Sequence, residues 1–107
     1  MHDGGWTWRS APGAQVAAPA SGVVEFSEPL KGWGLVVILR LGGGYRLVMA
    51  GMDAPLAAVG QPVREGQPVG RMSQDPGAEF YFEIRHDGAL VDPARWLKTP
   101  SAESAKR

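Results

Sequence analysis

The stretch Phe80-Tyr81-Phe82-Glu83-Ile84-Arg85-His86 decides the fold class. Its first, third and fifth residues are apolar and alternate with Tyr81, Glu83 and Arg85. A period of two is typical of a β-strand with two different faces. We therefore predict that one face packs in a core. The other face carries an aromatic ring, a carboxylate and a guanidinium. If the strand lines a groove, these are the groups that the groove presents to a partner.

The rest of the chain indicates an all-β domain. Fifteen glycines and nine prolines separate short apolar runs, and no amphipathic helical pattern is evident. The run Leu35–Leu39 is continuous and rich in β-branched residues, so it is predicted to be buried on both faces. Four further segments are predicted strands: Trp6–Trp8 at an edge, Val23–Phe26 ending before Pro29, Tyr45–Met52, and the stretch quoted above.

Glycines mark the predicted turns. Gly42–Gly44 fits a hairpin loop, and Pro29–Gly34 fits a turn that places Trp33 between two flexible residues. Gly60 and Gly66 lie six residues apart and each precedes Gln-Pro, as in a small internal repeat. The sequence therefore predicts many short strands joined by tight turns.

Composition excludes several classes of function. Lysine plus arginine equals aspartate plus glutamate at 11 each, so no overall charge favours nucleic acid as a partner. The chain has no cysteine, which excludes disulfides and thiolate sites. No window has the roughly 18 consecutive apolar residues of a spanning helix, so no membrane span is predicted. A chain of 107 residues fits one domain.

Catalytic signals are weak. A zinc hydrolase needs three or four protein ligands and a base, but the only histidines are His2 and His86, near opposite ends of the chain. His86 is predicted to be a surface turn residue. Glu79 and Glu83 share a strand face, and Arg85 is close enough to neutralise one of them. We expect no cofactor.

Several segments together resemble the LytM domain of lysostaphin-type zinc peptidases. The resemblance implies a β-rich barrel-sandwich hybrid with a long surface groove, in which active members cut peptidoglycan cross-links. It runs in order from about residue 5 to residue 97. The segments that carry it are Ala18–Val24, Gly32–Ile38, Val59–Gly70 and Tyr81–Arg85.

The same resemblance implies that the metal centre is degenerate. The family's zinc-binding positions correspond here to Asp3, Thr7 and Tyr81. Two further positions that hold catalytic histidines in active members correspond to Gly51 and Glu79. No imidazole remains among the five, and hydroxyl groups are poor zinc ligands.

Among degenerate LytM domains, the chain is most similar to EnvC-like murein hydrolase activators. This implies a non-enzymatic periplasmic protein of cell division that binds a regulatory helix of an N-acetylmuramoyl-L-alanine amidase, with a coiled coil preceding the domain. By motif position, the implied groove residues are Trp33, Val36, Met49, Gly51, Tyr81 and Arg85.

Two other functions stay open at this point. One is a peptidoglycan-binding module, and the other is a residual zinc endopeptidase that uses His2, His86 and carboxylates. We predict that residues 1–98 form the LytM domain. Residues 99–107 are small, polar and charged, and they are predicted to be a disordered tail.

Overall fold

The computed structural model describes residues 5–92. Several predictions concern residues outside this range: those for His2 and Asp3, the end of the predicted domain at residue 98, and the predicted tail 99–107. Within residues 5–92 the chain forms nine strands and one short 3-10 turn, Gly42–Gly44. The strands are β1 Trp6–Arg9, β2 Gln15–Ala17, β3 Gly22–Leu30, β4 Gly34–Arg40, β5 Tyr45–Pro55, β6 Pro62–Val63, β7 Pro68–Met72, β8 Glu79–His86 and β9 Ala89–Val91. The all-β prediction is confirmed.

All strand pairs are antiparallel, in the order β1-β8-β5-β4-β3-β6. Strand β7 joins β2 to β5, and β9 pairs with β8. As predicted, β1 is an edge strand, with Trp6 opposite Phe82 and Trp8 opposite Phe80. In the described part of the chain, no helix is long or apolar enough to cross a membrane.

The main core lies on one face of the central strands. Leu39, Leu47 and Ile84, from β4, β5 and β8, are fully buried there. They alternate along their strands with residues that face the other way, as a period of two requires. The predicted apolar face of β8 is confirmed, since Phe80 and Phe82 belong to the same core.

The repeat at Gly60 and Gly66 forms two equivalent turns. The backbone N–H of Ala58 donates to the side chain of Gln61 at 3.0 Å, and that of Arg64 donates to the side chain of Gln67 at 3.0 Å. Both glycines have positive φ, 90° and 88°, which a residue with a Cβ rarely adopts. Each Gly-Gln-Pro unit thus repeats one turn, and the sequence repeat corresponds to a structural one.

One predicted boundary is wrong. Strand β3 does not end before Pro29 but continues through it to Leu30, with Pro29 opposite Leu35 on β4. Strand β6 covers the outer edge of β3 only at Gly22 and Val23. The outer edge at Pro29 therefore needs no N–H donor, and an open edge is where a strand tolerates proline.

A bulge in β5 decides which residues share a face. Leu35 pairs with Met52 and Val37 pairs with Met49, so β5 contains one residue more than β4 over this interval. Gly51 lies within the insertion at a φ of 95° and donates its N–H to the carbonyl of Trp33 at 2.9 Å. Met49 and Met52 consequently both point into the main core.

Candidate functional site

The second face of the sheet carries its own small apolar cluster. Val36, Ala50 and Tyr81 are buried at its centre, on the middle strands β4, β5 and β8. Around them lie the half-buried side chains of Phe26, Trp33, Ile38 and Val48. We call this surface the Tyr81 face. Within residues 5–92, half-buried apolar residues outnumber buried ones in this cluster, four to three, whereas in the main core 15 buried residues outnumber six half-buried ones.

Trp33 and Tyr81 form the aromatic centre of this face. Their rings meet edge to face with centroids 5.7 Å apart, a favourable arrangement for aromatic pairs. Trp33 lies in the turn between β3 and β4, flanked by Gly32 and Gly34, whose φ values are 84° and 73°. The glycines on both sides let the turn place the indole on Tyr81. Both residues were predicted groove residues, and the structure brings them together.

The polar residues of β8 form a continuous hydrogen-bonded chain on this face. The Tyr81 hydroxyl donates to Oε1 of Glu83 at 2.5 Å, and Nε of Arg85 donates to Oε2 at 2.6 Å. Arg85 also donates to the carbonyl of Gly88 at 3.0 Å. Glu83 is only 4% exposed, and a buried carboxylate is tolerated when donors satisfy it. The expectation that Arg85 neutralises a carboxylate on this face is confirmed.

This environment raises the pKa of Tyr81 well above its usual value of 10.0. The main cause is burial of the hydroxyl, followed by its hydrogen bond to Glu83 and the negative charge of that carboxylate. Arg85 opposes the shift weakly. Tyr81 is therefore a neutral donor at ordinary pH, and it is poorly suited to serve as an anionic ligand.

Four of the five positions implied to be a degenerate metal centre lie within residues 5–92, and the structure brings them close together. Thr7 is directly opposite Tyr81 in the β1–β8 pair. A side chain at Gly51 would overlap the carbonyl oxygen of Glu79. The two pairs meet at the start of β8. Asp3 lies outside the described residues.

The described members of this set do not fit a zinc ion. Gly51 offers no side chain, and the Tyr81 hydroxyl is occupied by Glu83. Within residues 5–92, no group of three or more His, Asp or Glu side chains is arranged to hold a metal. Zinc prefers imidazole, thiolate or carboxylate ligands. Glu79 supplies one carboxylate, but the hydroxyls of Thr7 and Tyr81 belong to none of these types.

The prediction that Met49 lines the groove is wrong. It is fully buried in the main core opposite Phe82, not on the Tyr81 face. The prediction carried Met49 over by motif position, and the bulge at Gly51 turns the Met49 side chain to the other face. Ala50, opposite Tyr81, takes the place expected of Met49. Val36 lies on the Tyr81 face as predicted.

Phe26, Ile38 and Val48 belong to the Tyr81 face but were not predicted. Alternation with Val36 could have identified Ile38, because the two residues lie two apart on one strand. His86 ends β8, stacks on Tyr45 and places Nε2 2.9 Å from the carbonyl of Gly43. It therefore lies at the hairpin end of the sheet, away from the zinc-type positions.

The chain is similar to curated proteins that are named murein hydrolase activators. It is 36% identical over 91 residues to murein hydrolase activator EnvC of Escherichia coli. That alignment covers 82% of this chain and 22% of EnvC. It is 32% identical over 88 residues to murein hydrolase activator NlpD of the same species, covering 79% of this chain and 23% of NlpD. The chain therefore spans less than a quarter of the length of these two relatives.

Solved structures share the fold. The solution structure of lysostaphin superposes with a TM-score of 0.82 over 92% of this chain and 43% of lysostaphin, at 22% identity. That likeness agrees with the predicted LytM-type architecture. The family profile of peptidase family M23 matches residues 1–93. This chain therefore belongs to peptidase family M23, with a LytM-type domain.

Proposed function

We propose that this domain is a non-catalytic activator of peptidoglycan hydrolases, and specifically of N-acetylmuramoyl-L-alanine amidases. The observation that carries the proposal is the Tyr81–Glu83–Arg85 chain on the Tyr81 face. Tyr81 is the member of this chain at a zinc-type position, and Glu83 and Arg85 extend the polar face along β8. Tyrosine and arginine are the residue types enriched at interaction hot spots.

The composition of the site supports a non-enzymatic role. Tyr81 has a buried, neutral hydroxyl that donates a hydrogen bond to Glu83, and Gly51 has no room for a side chain beside Glu79. A histidine at either position would need a different local packing. We infer that the metal and catalytic histidines of active members have been replaced here.

The shape and chemistry of the Tyr81 face support a helix as the bound element. Trp33, Ile38 and Val48 leave apolar surface half-exposed beside the buried Tyr81. An amphipathic helix buries its apolar face on such a surface, while charged groups at the border fix its position. The proposed ligand is the amidase regulatory helix. Trp33, Val36, Gly51, Tyr81 and Arg85 are the proposed binding residues, with Met49 excluded.

The relatives support the biological setting. EnvC and NlpD are named murein hydrolase activators, and another relative is an outer membrane antigenic lipoprotein of Haemophilus influenzae, 34% identical over 83 residues. We propose a periplasmic location and a role in septal peptidoglycan splitting during cell division. An upstream coiled coil in the full-length protein is part of the same proposal.

Amidase activity on purified cell wall, measured with and without this chain, tests the proposal. We expect stimulation by the parent and loss of most of it in Tyr81→Ala and Arg85→Ala. Tyr45→Ala is the matched tyrosine control, because Tyr45 packs against the main core on the opposite face. Peptidoglycan cleavage by the chain alone, with zinc bound stoichiometrically, would overturn the proposal.

A second candidate function is direct peptidoglycan binding, and one observation favours it. Trp6 and Trp8 on the edge strand are 37% and 45% exposed, with ring centroids 6.4 Å apart. Exposed aromatic rings are suitable surfaces for sugars and peptides alike. Sedimentation with purified peptidoglycan, lost in a Trp6→Ala, Trp8→Ala variant, would support this second function.

A further inference from the structure

Three arginines form a row across one end of the Tyr81 face. Arg40 on β4 is paired with Arg46 on β5, and Arg46 is paired in turn with Arg85 on β8. Each arginine is two residues away from a side chain on this face, so it shares that face. Arg40 is two residues from Ile38, Arg46 from Val48, and Arg85 from Glu83. Neighbouring strands lie about 5 Å apart, so the row extends about 10 Å across the sheet.

The two carboxylates that accompany the row do not balance it. Glu25 accepts two hydrogen bonds from Arg46, at 2.6 and 3.0 Å, and this contact lowers the pKa of Glu25. Glu83 accepts from Arg85. Nε of Arg40 lies 3.8 Å from Oε2 of Glu25, and the Arg40 side chain is 54% exposed. Among these five side chains of the described part of the chain, three positive charges therefore meet two negative charges, and Arg40 has the most distant carboxylate.

The ion pairs with Glu25 and Glu83 offset the repulsion between neighbouring arginines only in part. Like charges directly opposite on neighbouring strands are destabilising, and the row contains two such pairs. The opposite end of the same face carries a different charge, because Glu28 pairs with the Tyr81-face residue Val36. The face thus has an apolar centre, a carboxylate at one end and an excess of guanidinium groups at the other.

We infer that the arginine row receives carboxylate side chains of the helix that docks on the Tyr81 face, which is an inference that rests on the proposed function. Tyr81 and Arg85 are four residues apart on one strand, about 13 Å. A helix rises about 1.5 Å per residue, so for a helix that lies along β8 an apolar anchor over Tyr81 and a carboxylate over the row are separated by about nine residues. The partner is therefore an amphipathic helix with an acidic end.

A charge reversal at Arg40 tests this inference. Binding of the full-length amidase to the parent and to Arg40→Glu and Arg40→Gln is measured at low and at physiological ionic strength. We expect about threefold weaker binding for Arg40→Gln and about tenfold for Arg40→Glu at low salt, with a smaller salt dependence in both. Arg64→Glu, in the turn between β6 and β7, is the control for net charge.

The outcomes separate this inference from the proposed function. If the parent neither binds nor stimulates the amidase, the proposed function fails. If the parent binds and Arg40→Glu weakens binding no more than Arg64→Glu does, the arginine row has no role and only this inference fails. If Arg40→Glu instead reduces sedimentation with peptidoglycan and leaves amidase binding unchanged, the acidic-helix assignment is overturned in favour of cell-wall anions.

Thermal denaturation of the same variants guards against misfolding. Because Arg40 faces Arg46 and has only a distant carboxylate, Arg40→Gln should unfold within a few degrees of the parent. Weak binding accompanied by a large loss of thermal stability would mean that Arg40 acts on the fold, and this would contradict the inference.

Discussion

The two faces of strand β8 are both buried, yet different forces hold them in place. Phe82 and Ile84 are buried in the apolar main core, where burial of carbon surface is sufficient. On the other face, Glu83 is buried to a similar extent but depends on hydrogen bonds from Tyr81 and Arg85. Alternate residues of one strand can thus serve stability and recognition separately, provided that every buried polar group is satisfied.

Because the two faces are separate, residues of the Tyr81 face can be substituted while the main core keeps its packing. Substitutions at Tyr81, Glu83 or Arg85 alter one face without touching the contacts of Phe80, Phe82 and Ile84 on the other.

Truncation in the main core should have the largest effect. Phe82→Ala removes a ring that is 2% exposed and packed in the main core, and we expect a loss of about 3–5 kcal/mol in the free energy of unfolding. Chemical denaturation measures it. Phe26→Ala, on the half-buried border of the Tyr81 face, is the matched control and should cost clearly less. Equal losses would contradict the distinction between the faces.

A side chain at the β5 bulge should have the next largest effect. Gly51→Ala adds a Cβ at positive φ that overlaps the carbonyl oxygen of Glu79, whereas Gly60→Ala adds one at similar φ with no atom within 4 Å. We expect about 1 kcal/mol for Gly60→Ala from the backbone alone, and about 1–3 kcal/mol more for Gly51→Ala from overlap. Similar values for both variants would mean that the bulge is not tightly packed.

Neutralising Glu83 should have an intermediate effect. Glu83→Gln keeps the size of the side chain but removes the charge that receives bonds from Tyr81 and Arg85, and we expect a loss of about 1–3 kcal/mol. Glu25→Gln is the control, because Glu25 is bonded to Arg46 at an exposed position and should contribute less than about 1 kcal/mol. Chemical denaturation of both variants at neutral pH makes the comparison.

Raising the pH should lower the free energy of unfolding by less than the substitutions above. The folded protein raises the pKa of Tyr81, so the unfolded chain loses this proton first once the pH exceeds 10.0. The contribution of Tyr81 is complete below that pH and decreases above it, by at most about 1.4 kcal/mol per pH unit. Unfolding free energies measured at several alkaline pH values should fall less steeply in Tyr81→Phe. An unchanged slope would contradict the burial of this hydroxyl.

Periodicity was enough to predict part of this molecule. The alternation in Phe80–Arg85 correctly separated a core face from a polar face, and the Gly-Gln-Pro repeat correctly marked two turns. The pairing of Arg85 with a carboxylate also followed from their spacing of two on one strand. These features depend on residues close together in the sequence, where strand geometry fixes which side chains are neighbours.

Features that involve two strands were harder to predict. Met49 was placed on the wrong face because a one-residue bulge is visible only when β5 is paired with β4. Strand β3 was ended too early because Pro29 is tolerated only at an open edge, and the sequence does not state where β6 stops. The arginine row was not foreseen, because its members come from three strands in a particular register.

The sequence by itself determined that this chain is all-β, where it turns, and that β8 has one apolar and one polar face. The tertiary structure alone decided that Glu83 is buried between Tyr81 and Arg85, that Gly51 forms a bulge, and that Arg40, Arg46 and Arg85 lie side by side. The physical reason is register. A strand's own alternation follows from its backbone geometry, but its alignment with a neighbour depends on packing between segments far apart in the chain.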